Sequence, residues 1–222
     1  MANQTCTTPL KVCALRAVRL DDTGSIEAGA SSLYTKKPVL LAYTPNTPER
    51  ERLEQLDGCG DQCVLYLGPP RAVDSVDLRL DLCDLDAEWV EMLAGGSIIT
   101  NAVGTGYDTV GYLAPTDDTI ATDGVALEAW SLAWSGRERA MLGGAPAWYR
   151  HVFPKTTWQV GEITLSNGVN VIPMTGVAEA NSAYGTGLVA DPFPADVGES
   201  LYGWALVNGI PDVECGYQEV AA

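Results

Sequence analysis

Lysine and arginine are absent from Leu80 to Gly136, and again from Thr156 to the end of the chain. Those two stretches hold eighteen of the 29 acidic residues, in a chain with only 13 basic ones. A formal charge of -16 distributed so unevenly predicts an acidic face that repels phosphate, which argues against tight nucleic-acid binding. An ordinary acidic surface would account for the composition equally well. Histidine occurs once, at His151, inside the strand-like run Trp148 to Phe153. With no G-x-S-x-G elbow elsewhere, a Ser-His-acid nucleophile has no support, and His151 reads as a structural or surface residue. Walker, H-E-x-x-H and EF-hand patterns are missing, and Gly104-Thr105-Gly106 is too short for a dinucleotide fingerprint. No residue pattern calls for a cofactor.

The six cysteines, Cys6, Cys13, Cys59, Cys63, Cys83 and Cys215, contain no C-x2-C pair, so four convergent zinc ligands are not expected. No apolar run approaches the roughly 20 residues of a membrane span. Met1 to Thr5 lacks the basic start and apolar stretch of a signal peptide, so the expectation is a chain made soluble in a cytoplasm. Reduced thiols are the default there. The alternative is a Cys59–Cys63 bridge across a tight Gly60-Asp61-Gln62 hairpin, formed after release to an oxidising medium.

What the chain does have is strand periodicity, punctuated once by a helix. Val76, Leu78, Leu80 and Leu82 alternate with Asp77, Arg79 and Asp81, the pattern of a half-buried strand. The period then changes. Asp86 is placed to cap a helix through Ala94, and Gly95-Gly96 supplies a left-handed exit. Trp89, Val90, Leu93 and Ala94 share one side, which should lie on a sheet.

Around that point everything reads as β. Lys11 to Leu20 alternates and ends in the turn Asp21-Asp22-Thr23-Gly24. Val39 to Tyr43 is a short strand closed by Pro45. Pro48 to Leu56 has helical propensity, but it runs into Gly58-Cys59-Gly60 and the strand Cys63 to Leu67, so we read it as a hairpin arm. Ser97 to Ala102 is a strand, and Gly104 to Gly124 a polar connection. Val125 to Trp134 places Glu128, Trp130, Leu132 and Trp134 on one face. Trp148 to Phe153 ends at Pro154. Asn167-Gly168 joins Glu162–Ser166 to Val169–Ile172, the strongest short hairpin signal present, and Pro173 argues for an edge or bulge. Leu201 to Val207 and Val213 to Tyr217 complete about ten strands. The economical reading is a single mainly-β domain over 1–222, a β-sandwich or barrel core with one short flanking α-helix at about 86–94. Its long connections fall at 44–75, 104–124 and 183–199.

Carboxylates are too numerous to mark a site. Asp117-Asp118 with Glu128 imitates a glycosidase pair, yet the first two read as a solvated loop and Glu128 as a paired strand residue. Trp130, Trp134, Trp148 and Trp158 read as core or interface rather than a sugar platform.

Several segments, in order and spacing, resemble the major tail (tail tube) proteins of long-tailed phages infecting actinobacteria. They are Leu10 to Asp21, Leu80 to Cys83 running into the 86–96 helix and Gly-Gly, and Ala126 to Ser131. Later come Val152-Phe153-Pro154, the Asn167-Gly168 hairpin and Glu214-Cys215-Gly216-Tyr217. The family's Cys-Gly-Asn at the second turn is Thr23-Gly24-Ser25 here. The resemblance implies a structural virion protein, not an enzyme, assembled in the host bacterial cytoplasm. Six copies would close a ring through shared sheet, and rings would stack into a tube that passes DNA. Tape-measure, terminator and distal tail proteins would be its neighbours. On this reading Trp89, Leu93, Tyr107 and Tyr112 are expected at subunit interfaces. Asp117, Asp118, Glu162 and Glu179 are expected to line an acidic bore, and 44–75 and 104–124 to join ring to ring. The rival class is a soluble β-sandwich carbohydrate-binding module, with a glycosidase as the third reading.

Overall fold

The computed structural model describes residues 8–26, 31–48, 52–56, 62–67, 72–83, 86–103, 106–117, 119, 121, 123–135, 138–164, 171–184, 192–194, 196–212 and 215–219. The expected Asn167-Gly168 turn lies outside them, as do Cys59 and Asp118. Within them the chain is mainly β with one α-helix. The strands are β1 (Thr8–Arg19), β2 (Ser31–Thr35), β3 (Pro38–Asn46), β4 (Arg52–Leu56), β5 (Gln62–Leu67) and β6 (Ser75–Leu82). After α1 (Ala87–Ala94) come β7 (Ser97–Val103), β8 (Gly106–Leu113), β9 (Val125–Ser135) and the two-residue β10 (Glu138–Arg139), β11 (Met141–Leu142) and β12 (Ala145–Pro146). Next are β13 (Trp148–Val160), β14 (Ile172–Glu179), β15 (Gly203–Val207) and β16 (Gly216–Glu219).

A ten-stranded antiparallel sheet runs β16-β2-β1-β9-β13-β14-β6-β3, with β10 added on β9 and β15 on β13. Its corner is β13. Trp148–Val152 pairs with β9 on one side and β15 on the other, whereas Lys155–Val160 pairs with β14. The register against β9 slips between Phe153 and Thr156. Pro154 sits in that slip, where its missing N–H costs no ladder bond. A bulge of this kind bends a strand and lets a sheet turn a corner into a second layer. The strand expected to stop at Pro154 therefore continues to Val160. Its second half takes the place of the expected Glu162–Ser166 arm, and Glu162 to Thr164 lie outside any strand. Pro173 is not on an edge: β14 lies between β13 and β6, and Pro173 sits near its start, beyond the end of β13.

The turn brings β3 back over β1, so that Val12 of β1 and Leu41 and Tyr43 of β3 face one space. Between the layers lie Leu15, Leu80, Leu127, Phe153 and Met174, all essentially solvent-free. The helix closes one end of this core. Asp86 accepts from the backbone N–H of Glu88 (3.1 Å) and Trp89 (3.3 Å), and Gly95 leaves at φ 80°. Both faces of β9 are covered. Val18, Ala126 and Val152 lie on the outer face under Tyr184 and Val197 of the 183–199 connection. That segment contributes two 3-10 turns, Ser182–Tyr184 and Val197–Glu199. Gly198 allows them to meet, since a Cβ there would sit 2.2 Å from the Asn181 carbonyl oxygen.

Candidate functional site

Among the described residues three two-stranded ribbons stand outside the main sheet: β4–β5, β7–β8 and the short β11–β12. Of the segment 48–56 read as a hairpin arm, Arg52–Leu56 is strand β4, which pairs with β5 in a two-stranded ribbon. The expected polar connection at 104–124 differs: its first half is β8, which pairs with β7 in a second ribbon. An isolated two-stranded ribbon is marginal in water. The β7–β8 arm is held to the helix by Tyr112, whose hydroxyl donates to the Gly95 carbonyl at 2.9 Å, and by Thr109, which donates to Glu88 at 3.1 Å. Its other residues Ile99, Val110 and Leu113 are exposed, the last two at 58% each. Gly96 permits the close approach: at φ 101°, a Cβ on it would lie 2.5 Å from the Leu113 carbonyl oxygen.

At the opposite end of β1 the sandwich is open. A cavity of about 320 Å³ is lined there by Lys11, Val12, Val39, Leu40, Tyr43 and Ser131, among others, with His151. His151 Nε2 lies 3.0 Å from Ser131 Oγ. Nδ1, where the acid of a catalytic triad would bond, is buried without a hydrogen-bond partner among the described residues. Among the described residues the pair thus lacks a group that would orient and stabilise a charged imidazole. Tyr43 and Tyr149 rings flank the histidine at 5.9 and 6.4 Å. Burial pushes its pKa down from 6.5 to about 4. A histidine depressed in the fold is bound by protons more readily when unfolded, so stability falls as pH drops from about 6.5 to about 4. His151→Gln should remove up to about 3 kcal/mol of that pH dependence, read as the difference between denaturant titrations of the two proteins. A parallel dependence in both would place the charge change elsewhere.

Lys11 has φ 34°, an uncommon conformation for a side-chain-bearing residue. It is the extra residue in the first of two register slips of β1 against β9, at Leu10/Val12 and Val12/Ala14. A third slip, between Pro38 and Leu40 on edge strand β3, leaves Val39 as the extra residue. Both Val39 (53%) and Leu40 (37%) consequently face solvent. Lys36 and Lys37, also exposed, precede them.

The acids expected at a bore are dispersed. Asp117 follows β8 and Glu162 follows β13, both exposed. Glu179 lies at the other end of the β13–β14 pairing and approaches Lys155 at 3.9 Å. Nor is the base-free run Leu80–Gly136 base-free in space. Glu91 pairs with Arg19, and Asp81 with Arg79 at 3.1 Å. Glu128 on β9 is enclosed by Arg16 on β1 and Arg150 on β13. Arg16 Nε donates to one carboxylate oxygen at 2.8 Å, and the Tyr184 hydroxyl donates to the other at 3.3 Å. The two guanidiniums also lie over the Trp130 and Phe193 rings at 5.5 and 5.3 Å. Glu128 is a paired strand residue, as expected.

Among the expected interface residues, Trp89 and Leu93 are each 1% exposed and belong to the core, so neither reaches a neighbour. The side of the helix that periodicity marked as apolar is consumed inside the chain. Tyr112 is half-buried against the helix exit, and Tyr107 pairs with Ala102 in the β7–β8 arm. Cys63 falls on β5, and Cys13, Cys83 and Cys215 are free thiols. Trp130 and Trp158 are buried in different clusters, which denies them a shared sugar platform. The residues that sequence reasoning missed are Lys11, Lys36, Lys37, Val39 and Leu40. The Lys36-Lys37-Pro38-Val39-Leu40 run was a visible signal for them, but its exposure depends on a bulge. No protein-family model matches the chain, and a search of the curated proteins finds no similar one.

Proposed function

We propose that this chain is a structural virion protein that builds a phage tail tube from copies of itself. Six copies close a ring, rings stack, and DNA passes along an acidic bore without being held. The observation that supports this best is the β7–β8 arm, which is separate from the main sheet and presents Ile99, Val110 and Leu113 to solvent. Such an arm is marginal alone and gains from a neighbour that covers its apolar face. The surplus of acid fits a conduit, since a phosphate backbone finds little to bind. Negative-stain microscopy of the purified chain tests the reading. Rings or tubes are expected, and dispersed single molecules at every concentration would overturn it.

A further inference from the structure

The open cavity between β1 and β3 has a composition that disfavours cations. Acids outnumber bases 29 to 13 in the chain, yet no Asp or Glu is among the described residues that line it, whereas Lys11 is. Its volume of about 320 Å³ suits a small molecule, whose sites begin at about 300 Å³. Val12, Leu41 and Ala129 give it aliphatic walls. The polar groups are few: Ser131, His151, Tyr43 and Lys11, whose neighbour Val12 pairs with Ser131 in the ladder. Lys11 also acts on the Cys13 thiol, which burial keeps protonated, so no negative charge cancels the lysine there. The net charge of -16 repels anions at long range, but physiological salt screens it beyond about 8 Å and the near lysine prevails. Positive φ at Lys11 is the kind of backbone irregularity that gathers at ligand sites.

His151 supplies the need that a ligand would meet. It is 9% exposed, and its pairing with Ser131 uses Nε2 and leaves Nδ1 without a partner among the described residues. A neutral imidazole carries one N–H, on either nitrogen. An acceptor placed at Nδ1 selects the tautomer with the proton there. Nε2 then accepts from the Ser131 hydroxyl, and both nitrogens are satisfied. We propose that this cavity binds a short aliphatic monocarboxylate. One carboxylate oxygen accepts from His151 Nδ1, and Lys11 supplies the counter-charge. The hydrocarbon tail rests on the aliphatic walls and runs toward Val39 and Leu40, which line the same space and are exposed.

Hexanoate is the probe, and the single histidine is the reporter. In the full chain carrying isotope-labelled histidine, nitrogen NMR sees only the ring of His151. At neutral pH and physiological salt, hexanoate should move the Nδ1 signal saturably, and hexylamine should not move it. Hexanol, with the same tail and no charge, should bind about tenfold more weakly. Lys11→Met, at an exposed position and with its fold checked by cooperative thermal unfolding, should weaken hexanoate by about tenfold. A signal that stays still at about 10 mM hexanoate leaves the cavity to water and overturns the proposal. So does binding of hexanol or hexylamine as tight as that of hexanoate, or full hexanoate affinity in the folded Lys11→Met protein, because either removes the carboxylate from the recognition.

Discussion

Glu128→Ala should destabilise the protein by about 3–5 kcal/mol, because it removes the carboxylate that neutralises two arginines with little access to water. Arg150 is 3% exposed in its side chain and Arg16 14%, and Glu128 is the carboxylate on which both converge. Their three strands are adjacent, so the cluster spans the middle of the sheet. Losses of this size approach the whole stability of many domains, and the variant should lose its cooperative denaturant transition at physiological temperature. Replacing all three charges together (Arg16→Met, Glu128→Leu, Arg150→Met) should instead be neutral or stabilising by about 1–4 kcal/mol. The contrast separates buried charge left in excess from a lost attraction. If the single and triple variants cost the same, the cluster does not work this way.

Trp89→Ala should cost about 3–5 kcal/mol, through the cavity it leaves between helix and sheet. Trp89 is among the largest side chains with almost no exposure. Its indole N–H is buried without an acceptor among the described residues. Trp89→Phe removes that orphan donor with part of the volume, so its cost should stay below about 1.5 kcal/mol. Both are read from urea unfolding of the unassembled chain. A Trp89→Ala protein with full stability and impaired self-association would return this residue to an interface and contradict its burial.

Legibility followed the range over which each feature is decided. The helix was readable because its cap, apolar side and glycine exit lie within eleven residues, Asp86 to Gly96. The alternation of Val76 to Leu82 marked β6 for the same reason, with Asp81 as the exception, buried beside Arg79. The course of β13 beyond Pro154 was not readable, since proline ends a strand unless a distant partner supplies a bulge. β7 was readable as an apolar strand, but β8 hid because Gly104 and Gly106 look like loop punctuation. Charge misled most. A stretch without lysine or arginine looks like a free acidic surface, yet arginines far away in sequence come back to neutralise part of it. The open-end site combined both difficulties, for Lys11 and Val39 become distinctive only through strand register.

The pairing of β1 with β9 also imposes a timetable. Arg16 and Glu128 are 112 residues apart, so the first strand leaves the ribosome long before its ladder partner exists. Contacts this remote in sequence slow folding. They also mean that a nascent or truncated chain cannot complete the sheet from which both ends of the molecule are hung. On the assembly reading proposed above, unfinished copies would thereby be kept from entering a growing polymer and capping it.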